Sequence, residues 1–176
     1  KQKGNIIFYE VPLVCGADSA IGCGSRAKPV LLEMEKNPAI KEAWLNRSGT
    51  VYAIVWNKED ETEKIAKPVF AKYEIDFKQL SKQNAEKNLL NFRNENFWYR
   101  GADVDKLSLV EAAFIANHYI IFDINRKMIS QEEANKKIKP AIENYFKEQL
   151  VKIRTKAELD HDIMNDFRQD MMRISS

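Results

Sequence analysis

Both thiols of this 176-residue chain stand in one stretch, Cys15–Pro29, which reads CGADSAIGCGSRAKP. Glycines flank Cys23, and Ser25, Arg26 and Lys28 follow it at the head of an apolar, helix-like run. Thiolates hold soft ions, and two of them suffice for linear coordination of Cu(I) or Hg(II), while Zn(II) accepts them within a larger ligand set. Cys15 and Cys23 are therefore the candidate metal ligands, with Cu(I), Hg(II) or Zn(II) as the ions, provided that the loop folds back to bring them together. The same residues allow redox chemistry. The unpaired N–H groups of a helix start, with Arg26 and Lys28 nearby, would favour a Cys23 thiolate that Cys15 could resolve. Two unrelated thiols, or one small disulfide, is the reading that needs no function. Gly22, Gly24, Ser25, Arg26 and Lys28 could also hold an anion, although the phosphate-loop spacing is absent.

Other chemistry-bearing residues are scattered. His118 lies inside the apolar run NHYIIF and reads as a core or boundary residue. His161 stands between Asp160 and Asp162, a set that suits either an ion or a solvated helix face. Asp103 and Asp105 read as a turn before a helix, without the further acidic ligands of a calcium loop. Met164, Met171 and Met172, beside Ile163 and Phe167, read as packing residues. No Cys–His or Ser–His–Asp arrangement is legible, so a non-enzymatic role is expected.

Several elements must position these groups. Asn5–Val14 is β-branched and aromatic and predicts a strand, with Pro12 marking an edge or an irregular end. Ser25 is the expected cap of a helix through Val30, Leu31 and Met34, stopped by Asn37–Pro38. Ala39–Asn46 and Thr50–Trp56 predict a hairpin whose turn, Arg47–Gly49, needs glycine. The acidic cluster Glu59, Asp60, Glu61 and Glu63 opens a second helix through Ile65, Val69, Phe70 and Tyr73, with Pro68 near its first turn or at a kink, and Glu74–Leu80 alternates as a strand. This order predicts a ferredoxin-like βαββαβ domain over residues 1–82. Residues 83–176 then predict a helical region with capping boxes at Ser108/Glu111 and Ser130/Glu133. The fold class expected is therefore α+β.

Charge is nearly balanced, 28 basic against 26 acidic side chains for a net +2, and the two signs are interleaved, which argues against nucleic acid as a partner. No apolar run approaches the roughly 20 residues of a membrane span. The chain opens on Lys1, as a processed chain would, and two cysteines do not settle the compartment, so a soluble extracytoplasmic chain and a cytoplasmic domain both fit.

Over about residues 5–81 the chain resembles the heavy-metal-associated domain of copper chaperones and metal-transporter N-termini. The resemblance rests on the element order, on the hairpin IKEAWLNRSGTVYAIVW and on EKIAKPVFAKYEID as second helix and last strand. That family carries Met-x-Cys-x-x-Cys between its first strand and helix. Here Cys23 falls at the first cysteine, Ile21 at the methionine and Arg26 at the second cysteine. The resemblance implies soft-ion binding with a degenerate motif, Cys15 supplying the second thiol and Tyr73 shielding the ion. The expected function is a soft-metal-ion or protein binding module using this loop. The alternatives are a thiol-redox protein and a structural interaction domain, with a homodimer through the C-terminal helices as one arrangement.

Overall fold

The computed structural model describes residues 5–57, 62–94, 96–125 and 130–153, with residues 155, 157, 158, 166 and 169 beyond them. Glu59, Asp60, Glu61, Asp160, His161, Asp162, Met164, Met171 and Met172 lie outside the described residues. The chain is α+β. Its sheet is built from β1 (Asn5–Glu10), β2 (Ile40–Asn46), β3 (Val51–Trp56), β4 (Lys78–Gln79) and β5 (Trp98–Tyr99). The strand order is β4-β1-β3-β2-β5, and every neighbouring pair is antiparallel. β5 is not expected from the sequence, and the expected strand Glu74–Leu80 forms a strand only at Lys78–Gln79, with Leu80 N–H also donating to Phe8 O at 2.9 Å.

The central strand explains the layering. β3 reads VYAIVW and is buried at every position, as expected of a strand covered on both faces. On one face Tyr52, Ile54 and Trp56 pack with Tyr9, Ala43 and Leu45 against α1 (Gly24–Glu35) and α2 (Thr62–Lys72). On the other, Val51, Ala53 and Val55 pack with Phe8 against Phe92 of α3 (Lys82–Asn94) and against Trp98. Phe92 is fully buried, with its ring centroid 5.1 Å from Trp98, 5.7 Å from Trp44 and 6.2 Å from Phe8. The aromatic run at Phe97–Tyr99 thus serves the sheet, adding an edge strand beside β2.

A second apolar cluster forms between α4 (Asp105–Asn125) and α6 (Lys139–Leu150), where Ala112 and Ala116 meet Ile142, Phe146, Leu150 and Ile153. α6 is preceded by the short α5 (Gln131–Glu133) and a π-helical turn, Ala134–Ile138, so that Pro140 falls in the first turn of α6. Ser130 caps α5 by accepting from the Glu133 N–H at 3.2 Å, as its spacing predicts. The other capping box is corrected. α4 begins three residues before Ser108, and both Ser108 and Glu111 are buried inside the helix. Among the described residues no helix is long and apolar enough to cross a membrane.

Candidate functional site

The cysteine stretch is a miniature hairpin. β1 ends at Glu10, but Val11 and Leu13 still donate to Thr50 and Gly49 at 2.9 and 3.0 Å. Pro12 points outward between them, where no N–H is needed. The chain then turns back on itself. Cys15 N–H donates to Ile21 O at 2.8 Å, Cys23 N–H donates to Leu13 O at 2.7 Å, and Val14 lies opposite Gly22. Asp18 closes the loop through its carboxylate, which accepts from Ala20 N–H at 2.8 Å. Alternation along this short ladder puts Leu13, Cys15, Ile21 and Cys23 on one face, and all four are buried. The two cysteines are diagonal neighbours, a relation that sets Cα atoms about 7–8 Å apart in an antiparallel pair. Both are free thiols.

Glycine-to-glycine contact fixes this hairpin on the sheet. A Cβ on Gly22 would lie 2.6 Å from Gly49 Cα, and one on Gly49, whose φ is +71°, would lie 2.2 Å from Leu13 O. Gly22 N–H also donates to Arg47 O at 2.6 Å. The turn between β2 and β3, where the sequence calls for glycine, is therefore the floor under the cysteine loop.

The side chains expected to activate Cys23 are engaged elsewhere. Cys23 itself, rather than Ser25, is the N-cap residue of α1. Ser25 is buried, lies 3.1 Å from Ser108 Oγ and donates its hydroxyl to Leu150 O. Lys28 pairs with Asp105, and Lys106 pairs with Asp103 at 2.8 Å, so both members of the Asp103/Asp105 pair are neutralised by lysines. Arg26 donates to Glu74 O at 3.1 Å and Tyr73 O at 3.5 Å, capping the carboxyl end of α2. Tyr73 thus enters through its backbone carbonyl. The aromatic whose charge state is coupled to Cys23 is Tyr52, fully buried with its hydroxyl 3.4 Å from Ala27 O.

A depressed Cys23 thiol is not found. Burial raises it, and the amides of Ser25 and Arg26 with the Arg26 charge only partly offset that. Burial also pushes Cys15 up to about 12, helped by the negative charge of Glu111, even though the Ala17 N–H donates to its sulfur at 3.3 Å. Both thiols are protonated at neutral pH, so the positive end of the α1 dipole loses to desolvation.

Glu111 is the residue that sequence spacing conceals. It comes from α4, three residues past Ser108, and its side chain is 6 % exposed. Its negative charge raises the pKa of both Cys15 and Cys23, while its Oε2 is buried with no hydrogen-bond partner. Burial raises its pKa, and the Cys15 contact opposes the rise. In kind, two thiols and a carboxyl suit a soft or borderline ion. Among the described residues, however, no three His, Cys, Asp or Glu side chains stand in a coordinating array. His118 is exposed on α4 and lines, with Gly16, Ala17, Phe114, Ile115 and Tyr119, a cleft of about 380 Å³ beside the cysteine loop.

Compared with known proteins, the chain matches no family model, no curated protein and no solved structure.

Proposed function

We propose that the chain is a non-enzymatic binding module of heavy-metal-associated type, whose ligand is a soft, thiophilic ion held by Cys15 and Cys23. The observation that carries this reading is the shared face of the two reduced sulfurs on the Leu13–Cys23 hairpin, at the start of α1. The first six elements support the accompanying fold reading, a ferredoxin-like unit with β5 added at one edge. β4-β1-β3-β2 are consecutive in the sheet, and α1 and α2 pack on a single face. Because both thiols are protonated and buried, uptake of an ion must release protons, and affinity must rise with pH. Titrating the reduced chain with Hg(II) and with Cu(I), while following proton release and thiol accessibility, tests this. One ion per chain, abolished by Cys15→Ser or Cys23→Ser, is expected. Unchanged uptake in both variants rejects the proposal.

A second reading is favoured by α4. Leu109, Val110, Phe114 and Ile121 leave apolar surface exposed along α4, the kind of surface that a further neighbour covers. A second copy of this chain, paired across α4, would cover it. Sedimentation velocity of the wild type and of Phe114→Glu decides: a dimer that the variant abolishes supports the pairing, and a wild-type monomer at high concentration rules it out.

A further inference from the structure

A cleft of about 260 Å³, independent of the two thiols, opens between the β2–β3 turn and α3. Arg47 and Ser48 of the turn line it, with Asn88 and Asn91 of α3 and the aromatic pair Phe97 and Trp98. We propose that this cleft binds a small aromatic monocarboxylate, with its carboxylate on Arg47, its ring against Phe97 and a polar substituent on the amides of α3.

Arg47 is a fixed cation without an anion. Its N–H donates to Phe97 O at 2.8 Å and its carbonyl accepts from Gly22 N–H at 2.6 Å, so its backbone is held from both sides. Asn46 fixes the turn from within. Its Nδ2 donates to Ser48 Oγ and Thr50 Oγ1, each at 3.0 Å, and its Oδ1 accepts from the N–H groups of Thr50 and Val51. The guanidinium lies 5.8 Å from the centroid of the Phe97 ring, a cation–π separation that orients it without neutralising it. Among the described residues no carboxylate pairs with it, whereas Lys28, Lys72, Arg100 and Lys106 each have an acid partner. A cation mounted on so rigid a turn binds with little ordering cost.

The rest of the lining selects the ligand. A guanidinium offers a planar fork of donors that matches a carboxylate. No lysine lines the cleft to share the larger charge of a phosphate, and no acid lines it to take the ammonium of an amino acid. Phe97 is 52 % exposed, so ring area is open for stacking beside the cation. Asn88 uses its Nδ2 on Asn84 O at 2.9 Å and keeps its Oδ1, and Asn91 makes no side-chain hydrogen bond among the described residues. These amides suit a hydroxyl, which both donates and accepts. The volume falls just below the ~300–1,000 Å³ of sites for drug-sized ligands, which fits a single ring.

The test titrates the full chain with para-hydroxybenzoate by calorimetry, while nuclear magnetic resonance follows the Arg47 Nε–H signal. A Kd of about 0.1–1 mM is expected for a ligand of this size, with that signal shifting on binding. Arg47→Gln leaves the backbone bonds of the turn in place and should bind at least about tenfold more weakly, with partial recovery in Arg47→Lys. The uncharged isostere para-hydroxybenzamide should bind the wild type at least about tenfold more weakly than the acid. Lys41→Gln, at an exposed position of β2, lowers the net charge equally and should bind as the wild type does. Near-UV circular dichroism checks that each variant keeps its packing. No binding at about 10 mM, equal affinity in Arg47→Gln, or equal affinity for the benzamide overturns the assignment. Full displacement by equimolar inorganic phosphate also overturns it, because it would mark a bare anion patch.

Discussion

Cys15 and Cys23 each sit 5 % exposed on the inner face of a hairpin, and that burial governs their chemistry more than the helix start behind them. A thiol reacts as thiolate, so both should resist a disulfide reagent such as DTNB at pH 8 in buffer and react fully in guanidinium. Stopped-flow rates should differ by about 10²-fold or more between the two conditions, as expected when the thiolate fraction falls with a large pKa rise. Fast modification of either cysteine in the folded chain would contradict the burial. The same proton gives stability a pH dependence. Cys15 stands at about 12 folded against an ordinary 9.0, so between those pH values the unfolded chain releases a proton that the folded chain keeps. Its contribution is complete below pH 9 and is lost as pH climbs toward 12. Urea midpoints should fall across this window, and Cys15→Ala should flatten the fall. Glu111 acts in the same direction at lower pH. Its raised pKa means that it costs stability once pH passes its folded value, so Glu111→Gln should unfold at no lower temperature than wild type at pH 7.

At the scale of elements, two supports hold the site. The first is the Gly22–Gly49 contact. Gly49→Ala would force a Cβ onto Leu13 O at a positive φ and should cost about 2–3 kcal/mol in denaturant unfolding. It should also speed Cys15 modification, because Leu13 is the strand end that carries the hairpin. The second is α3 against the far face of the sheet. Phe92→Ala would open a cavity among Phe8, Trp44 and Trp98 and should cost about 3–5 kcal/mol. Only the first support was legible in the sequence. Thr50–Trp56, Arg47–Gly49 and Val30–Met34 carry local patterns that suffice for the hairpin and the helix. β5 is two residues long and has no periodicity to read, and α3 hides Leu89 and Phe92 in a polar run. The spacing of Ser108 and Glu111 imitates a helix start, but docking of Val104 on Gly24 begins α4 earlier and turns both side chains inward. Their neighbours, Ser25 and the cysteines, lie more than eighty residues away in sequence, and no local rule reports a contact of that range.

For the molecule as a whole, the decisive question is whether the sheet and the α4–α6 pair unfold together. Their apolar clusters are separate, which would permit independent unfolding. The connections between them are of a kind that cannot be broken singly without cost. Ser25 is buried against Ser108 and satisfies the carbonyl of Leu150, so parting α1 from the α4–α6 pair exposes or orphans three polar groups at once. Val104 and Leu107 of the α4 end belong to the core of the sheet, and Arg100, just before α4, pairs with Glu35 of α1 at 2.8 Å. These contacts predict one cooperative transition. The three tryptophans, Trp44, Trp56 and Trp98, all lie in the sheet, so tryptophan fluorescence follows the sheet, whereas far-ultraviolet circular dichroism at about 222 nm is weighted toward the helices. The two denaturation curves should superimpose in the wild type. Ser25→Ala should lower the shared midpoint by the equivalent of about 1–3 kcal/mol, the cost of leaving the Leu150 carbonyl without its donor. Curves that separate in the wild type, with dichroism lost before fluorescence, would mean that the helical pair is only loosely docked on α1, and that the Ser25, Ser108 and Leu150 contacts do not couple the two clusters.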